Sequence, residues 1–125
     1  MRLKQVLIYA KNLPTMEAYY SSVLAQAPIE GTRSEGWVEY EAGIGLHAIP
    51  SHIADQITIT QPPEPREETP IKIIFEVDNL EAEQSRLENL GIVFTHRPWG
   101  ALDLTDPEGN IFQICPRVRY DKVSP

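Results

Sequence analysis

The sequence predicts an α+β fold in which two tandem βαβββ modules form a cupped mixed sheet with helices on the outside. Each half of the chain opens with a strand-like segment that leads into one helix with apolar residues at helical spacing. Each half then contains three short strand candidates, and landmark residues recur at a constant offset. A length of 125 residues with 42% hydrophobic content suits a single domain over 1–125.

The first module is predicted over about 1–50. It begins with a β-rich strand over 3–9, in which successive side chains alternate between two faces. A helix over 14–25 follows, because Asn12 can cap its start and Pro28 prevents its continuation. Three strand candidates complete the module: 28–33, 37–42 and 45–49.

A connector over 51–70 is predicted next, because its second half is rich in proline and charge and lacks any strand or helix period. The second module, over 71–116, repeats the pattern of the first. A strand over 71–77 leads into a helix over 80–90 that Gly91 stops. Its three further strand candidates are 92–96, 101–105 and 110–115.

The two halves can be aligned by number. Asn12 recurs as Asn79, since 79 minus 12 is 67, and Gly43 recurs as Gly109, since 109 minus 43 is 66. At these offsets four polar residues occupy equivalent places on the first and last strands of the modules: Gln5, His47, Lys72 and Gln113. His47, Lys72 and Gln113 each stand between two apolar residues, so strand alternation directs them to the opposite face, toward a concavity where a small ligand would bind.

Charge and composition exclude several classes of function. Eighteen acidic residues against eleven basic ones give a formal net charge of −7, which disfavours nucleic acid and acidic membranes as partners. We expect a cytoplasmic protein, because there is no apolar run of about 20 residues and Met1 leads directly into a strand pattern. The lone Cys115 is expected to be a small buried apolar residue. The tail over 117–125 either packs on a partner or frays.

Three segments resemble a known family: Val77-Asp78-Asn79-Leu80 before the second helix, Pro98-Trp99-Gly100 before a strand, and Asp106-Pro107-Glu108-Gly109-Asn110 before the last strand. With them the chain resembles, over about 3–116, the vicinal oxygen chelate superfamily. That superfamily includes glyoxalase I, extradiol dioxygenases, fosfomycin-resistance enzymes and bleomycin-resistance proteins. The resemblance implies a small-molecule ligand and a homodimer, with the modules paired within one chain or across two chains.

In metal-dependent members of this superfamily the ligands come from the first and last strands of both modules, and at least one is a glutamate. The four aligned polar residues hold those places here, and none is a carboxylate. Lys72 is cationic near neutral pH and neutral amides bind first-row metals poorly, so we expect no tightly bound metal. If a metal is present, the expected ligands are Gln5, His47 and Gln113, and the expected ions are zinc, nickel, manganese or iron.

Several residues are candidates for the site. His47 and Lys72 are the tentative catalytic pair. The imidazole could act as a base, a metal ligand or a hydrogen-bond donor, and the ammonium could bind an anionic group of a ligand. The alternatives are a buried, hydrogen-bonded His47 and a salt bridge from Lys72 to Glu76. The full set of predicted ligand-binding residues is Gln5, Tyr9, Glu39, His47, Lys72, Trp99 and Gln113.

The sequence therefore predicts a small-molecule-binding protein of the vicinal oxygen chelate type, similar in architecture to bleomycin-resistance proteins and without a tightly bound metal. The alternative is a glyoxalase-like lyase or isomerase, or a dioxygenase, acting on a small carbonyl or aromatic substrate. A third possibility is a regulatory subunit whose pocket is filled by its own side chains.

Overall fold

A computed structural model describes residues 1–117 and divides the chain into two compact units. The first unit comprises Met1–Glu64 together with Asp106–Gly109, and the second comprises Pro65–Thr105 together with the chain from Asn110. Of the predicted tail, only Arg117 belongs to the described residues, so the prediction for 118–125 lies outside them.

The first unit contains a helix and a three-stranded mixed sheet. Its helix begins after Asn12, whose side chain accepts a hydrogen bond from the backbone N–H of Thr15, and ends at Ala25 in the left-handed conformation. In the sheet, of order β1-β3-β2, β3 pairs in parallel with β1 and antiparallel with β2. The bounds are β1 Val6–Ala10, α1 Leu13–Leu24, β2 Trp37–Glu39 and β3 Ile44–Ala48.

The strand predicted over 28–33 is wrong, because a 3₁₀ helix, Glu30–Thr32, occupies its centre. Ile29 still donates its backbone N–H to the Glu39 carbonyl at 2.8 Å, so the segment starts beside β2. The hydroxyl and the backbone N–H of Thr32 then both bond the Ile29 carbonyl, and these local bonds replace a strand ladder.

The connector begins with a short helix, α2 (Ser51–Ala54), which the sequence did not predict. Its proline-rich second half, over 61–70, has no helix or strand, in agreement with the prediction. The Pro50 carbonyl accepts from the backbone N–H groups of Ile53 and Ala54, and the Ala54 side chain is buried. Burial of this one apolar side chain accounts for an ordered turn next to the proline-rich stretch.

The second unit has the predicted βαβββ order and a four-stranded mixed sheet of order β4-β7-β6-β5. Strand β7 pairs in parallel with β4 and antiparallel with β6, and β5 forms the other edge. The Asn79 side chain accepts from the backbone N–H of Ala82 and caps the helix. The bounds are β4 Ile73–Val77, α3 Leu80–Asn89, β5 Thr95–Arg97, β6 Ala101–Thr105 and β7 Ile111–Pro116.

Each unit has its own apolar core between its helix and its sheet. In the first unit Met16 and Tyr20 of α1 are buried together with Leu46 of β3. In the second, Leu87 of α3 is fully buried, and the rings of Phe75 and Phe112 meet edge to face with centroids 5.8 Å apart. No helix within residues 1–117 is long and apolar enough to cross a membrane.

The turn between β6 and β7 contributes two buried carboxylates to the first unit. Glu108 accepts the backbone N–H groups of Lys11 and Asn12, each at 2.8 Å, directly before α1 begins. Asp106 accepts the phenol of Tyr20 at 2.7 Å, and burial followed by the charge of Asp106 raises the pKa of that phenol far above its usual range. A negative charge at a helix N-terminus is also favourable to the helix dipole.

We predict that Glu108→Ala lowers the free energy of unfolding by about 1–3 kcal/mol, because two backbone donors lose a charged acceptor. Urea unfolding at pH 7 measures the loss. The matched control is Glu35→Ala, which removes an exposed carboxylate and should change stability by less than about 0.5 kcal/mol. Equal stability losses in the two variants would contradict the anchoring role.

Candidate functional site

The second unit contains a pocket of about 340 Å³ on one face of its sheet. Four residues of the connector, between Pro65 and Thr69, also line it. The lining side chains from the sheet and from the approach to it are Lys72, Thr95, Arg97, Asp103, Thr105 and Ile111.

Strand alternation separates this polar face from the core. Leu102 and Leu104 flank Asp103 in β6, and Phe112 and Ile114 flank Gln113 in β7, so the four apolar side chains share the buried face. Asp103 and Gln113 are direct partners across the antiparallel pair and share the other face. The predicted separation of apolar and polar faces is therefore confirmed for Gln113 in β7. It is not confirmed for Lys72, because Lys72 precedes β4 and its apolar neighbour Ile71 is 69% exposed.

Asp103 is the centre of a hydrogen-bonded charge cluster, although it is only 8% exposed. Its Oδ2 accepts from Nε of Arg97 at 2.7 Å. Its Oδ1 accepts from Nε2 of Gln113 at 3.0 Å and lies 3.1 Å from Nζ of Lys72. Both carboxylate oxygens are thus occupied, which satisfies the requirement that a buried charge be paired and hydrogen-bonded.

The pKa of Asp103 lies below its usual value despite its burial. Burial by itself would raise this pKa, but the hydrogen bonds from Arg97, Gln113 and Lys72 favour the ionised form and outweigh it. Asp103 is consequently a weak base and a permanent negative charge near neutral pH.

The structure brings two of the four aligned polar residues together, since Lys72 and Gln113 both contact Asp103. The proposed salt bridge from Lys72 to Glu76 is wrong: the ammonium reaches Asp103 instead. Glu76 is exposed on the edge strand β4 and lies 3.7 Å from Arg117. Asp103 is the more buried acceptor, and the pairing of a desolvated carboxylate gains more than that of an exposed one.

The other two aligned residues belong to the first unit. His47 lies opposite Tyr9 and Trp37 in the sheet register, and its ring centroid is 5.6 Å from that of Tyr9 and 5.2 Å from that of Trp37. The indole of Trp37 donates to Glu39 at 2.9 Å. These four side chains form a partly exposed aromatic surface with one carboxylate at its edge.

The two remaining predicted residues lie apart from these groups. Gln5 is half-buried, and its Oε1 lies 3.0 Å from the place that a Cβ would take at Gly45, so the missing side chain of Gly45 makes room for it. Trp99 belongs to the second unit, where it is 70% exposed in the turn from Arg97 to Gly100. Neither Gln5 nor Trp99 lines the pocket.

The donor set does not fit a divalent metal. In the second unit Lys72 supplies a positive charge, and the amide nitrogen of Gln113 is directed to Asp103. The carboxylate of Asp103 is already shared by two cations. Within residues 1–117, no group of three or more histidine, cysteine, aspartate or glutamate side chains is arranged to hold a metal ion.

Cys115 is not set up as a nucleophile. The thiol is half-buried, and burial followed by the nearby charge of Glu76 raises its pKa. Fewer thiolate ions are then present near neutral pH than for an exposed cysteine.

Of the residues that line the pocket, the sequence prediction named only Lys72. The missed residues include both charged members of the cluster around it, Arg97 and Asp103. A signal for Asp103 existed, because it stands between two leucines in a predicted strand, the same pattern that identified Gln113. Arg97 occupies the last position of β5, and only the pairing of β5 with β6 brings it beside Asp103.

Comparison with solved structures identifies the fold. A glyoxalase/bleomycin resistance protein/dioxygenase family enzyme from Burkholderia phytofirmans PsJN matches with a TM-score of 0.65 and 22% identity, covering 94% of this chain and 100% of that one. The chain has the glyoxalase/bleomycin-resistance fold. A lactoylglutathione lyase from Agrobacterium tumefaciens matches with a TM-score of 0.60 and 20% identity, covering 92% of each chain.

A protein of unknown function from Agrobacterium tumefaciens also matches this chain, with a TM-score of 0.68 and 17% identity over 94% of this chain and 95% of that one. At these identities the likeness concerns the fold alone. No protein-family model and no curated protein matches the sequence.

We predict that Asp103 makes stability fall at acid pH. Its folded-state pKa is depressed, so the unfolded chain binds this proton first as pH decreases. The stability contribution is present above the unfolded pKa of about 3.9 and is lost as pH falls through the lower folded value. Urea unfolding at steps from pH 7 to 2.5 should show a shallower acid decline for Asp103→Asn than for the wild type.

The control for this measurement is Asp55→Asn, because Asp55 is exposed. It should retain the wild-type dependence on pH. If Asp103→Asn declines as steeply as Asp55→Asn, the carboxylate of Asp103 is not stabilised by its three donors.

Proposed function

We propose that this chain is a small-molecule-binding protein of the vicinal oxygen chelate type that works without a tightly bound metal. The observation that carries the proposal is the pocket of the second unit, which combines charged groups held by Asp103 with three threonine hydroxyls and an apolar Ile111. Small-molecule sites are usually lined mainly by apolar side chains, whereas this lining is mainly polar and charged, which suits a small charged ligand. The volume of about 340 Å³ lies at the lower end of the range of such sites.

The donor chemistry supports metal-independent binding. A metal held at Gln113 would have to share the site with the ammonium of Lys72, and like charges repel strongly where water is partly excluded. The positive charges of Lys72 and Arg97 can attract an anionic group of a ligand, as a metal cation would.

The same contacts favour binding over proton-transfer catalysis. A general base at neutral pH needs a pKa raised toward that pH, whereas the pKa of Asp103 is lowered. His47 contacts two aromatic rings, and an aromatic surface suits ligand stacking.

We predict that a tryptophan at position 95 blocks the pocket. Thr95 lines the pocket from β5, and tryptophan is well tolerated in strands, so Thr95→Trp should fold normally and fill the cavity. Fragments identified with the wild type by ¹H–¹⁵N NMR should move the signals of Thr105 and Ile111. They should bind the variant at least about tenfold more weakly.

Val93→Trp is the matched control, because Val93 is 85% exposed and does not line the pocket. It should bind fragments as the wild type does. The proposed function fails if no fragment moves pocket signals, or if Thr95→Trp binds as tightly as Val93→Trp.

We also predict that protein purified without chelators contains well under one equivalent of metal by elemental analysis, and that zinc, nickel, manganese and ferrous iron do not raise its melting temperature. His47→Ala should have the same metal content as the control His52→Ala, whose histidine is exposed in α2. Stoichiometric metal that is lost from His47→Ala and kept by His52→Ala would contradict metal independence.

A further inference from the structure

The charge cluster in the pocket has more positive charge than its carboxylate requires. Arg97 and Lys72 carry two positive charges and Asp103 carries one negative charge, so the cluster retains one positive charge. Over the whole lining, three cations against two anions again leave one positive charge, whereas the chain as a whole has a formal charge of −7. The pocket is a local exception to the charge of the protein.

Both cations also have hydrogen-bond donors to spare. Arg97 uses Nε toward Asp103, and among the described residues no protein acceptor binds its two terminal nitrogens. Lys72 has three ammonium hydrogens, of which Asp103 takes one. The side chains of both are 42% exposed, so a ligand can reach these donors from the pocket.

Asp103 holds the two cations in place before any ligand arrives. Flexible lysine and arginine side chains normally lose rotamer entropy when they bind a ligand, and a fixed counterion reduces that loss. One cation together with Gln113 would be sufficient to neutralise and hydrogen-bond a single carboxylate. With both cations paired to the same carboxylate, the cluster keeps a positive charge that a ligand anion can neutralise.

We propose that the pocket of the second unit binds a small organic acid whose anionic group is held by the terminal nitrogens of Arg97 and the ammonium of Lys72. The hydroxyls of Thr95 and Thr105 accept or donate hydrogen bonds to polar groups of that acid, and Ile111 packs against its short carbon skeleton. Asp103 is a positioning residue that orients both cations. This inference rests on the proposed function, because it names the ligand class for the same pocket.

The test is a titration of ¹⁵N-labelled protein with matched charged and neutral probes: acetate against acetamide and benzoate against benzamide, with inorganic phosphate as a separate arm. We expect the carboxylates to move the signals of Thr95, Thr105 and Ile111, the amides to leave them in place, and added salt to weaken the binding. Phosphate tighter than either carboxylate would overturn the assignment of an organic acid.

Variants show which residues hold the anion. Arg97→Gln and Lys72→Gln each leave Asp103 with one cation and Gln113, and each should weaken carboxylate binding at least about tenfold, because a charge-assisted hydrogen bond to the anion is lost. Arg33→Gln is the matched control, because it breaks an exposed ion pair with Glu17 in the first unit. It should leave the affinity unchanged.

Failure of this inference can be told apart from failure of the proposed function. Equal binding of amides and carboxylates, or unchanged affinity in both pocket variants, would overturn the anionic ligand while the pocket remained a binding site. No response to these probes, together with fragments that move pocket signals only when uncharged, would also overturn it. The proposed function itself fails only if no fragment of any charge moves pocket signals.

Discussion

Strand alternation in β6 and β7 is the constraint on which the second unit depends. These two strands lie inside a four-stranded sheet, so every second side chain faces α3 and must be apolar, and the others share the pocket face. A shift of register by one residue would exchange the faces and bury Asp103 beneath the helix. The register that buries the apolar core residues therefore also places the polar residues on the pocket face.

Burial of the Asp103 carboxylate determines which side chains surround it. A carboxylate that is 8% exposed needs partners, and it obtains them from three other strands or strand ends: Lys72 before β4, Gln113 in β7 and Arg97 in β5. The same group links stability to the charge of the pocket, because the side chains that satisfy it are the ones that present positive charge there. One ammonium and one amide around a carboxylate that is already paired are a poor donor set for a divalent metal.

The parts of the structure that the sequence predicted correctly are those that depend on neighbouring residues in the chain. Helices α1 and α3 and strand β6 were predicted to within one residue at each end, because the caps at Asn12 and Asn79 and the alternation in β6 are local patterns. The 3₁₀ helix was missed because Thr32 competes locally with the ladder. The partner of Lys72 was missed because Asp103 is two strands away, and only the order β4-β7-β6 brings them together.

The turn that carries Glu108 makes the first unit discontinuous along the chain. Its hydrogen bond to the backbone of Lys11 joins residues 97 positions apart, and Asp106 reaches Tyr20 across 86 positions. Closure of such long loops is slow, because the chain loses conformational entropy before the stabilising contacts form. During synthesis on the ribosome, α1 is made long before the β6–β7 turn, so its N-terminus has no bond to Glu108 until that turn has been added. A nascent chain that ends at Glu64 therefore carries a first unit that is still incomplete.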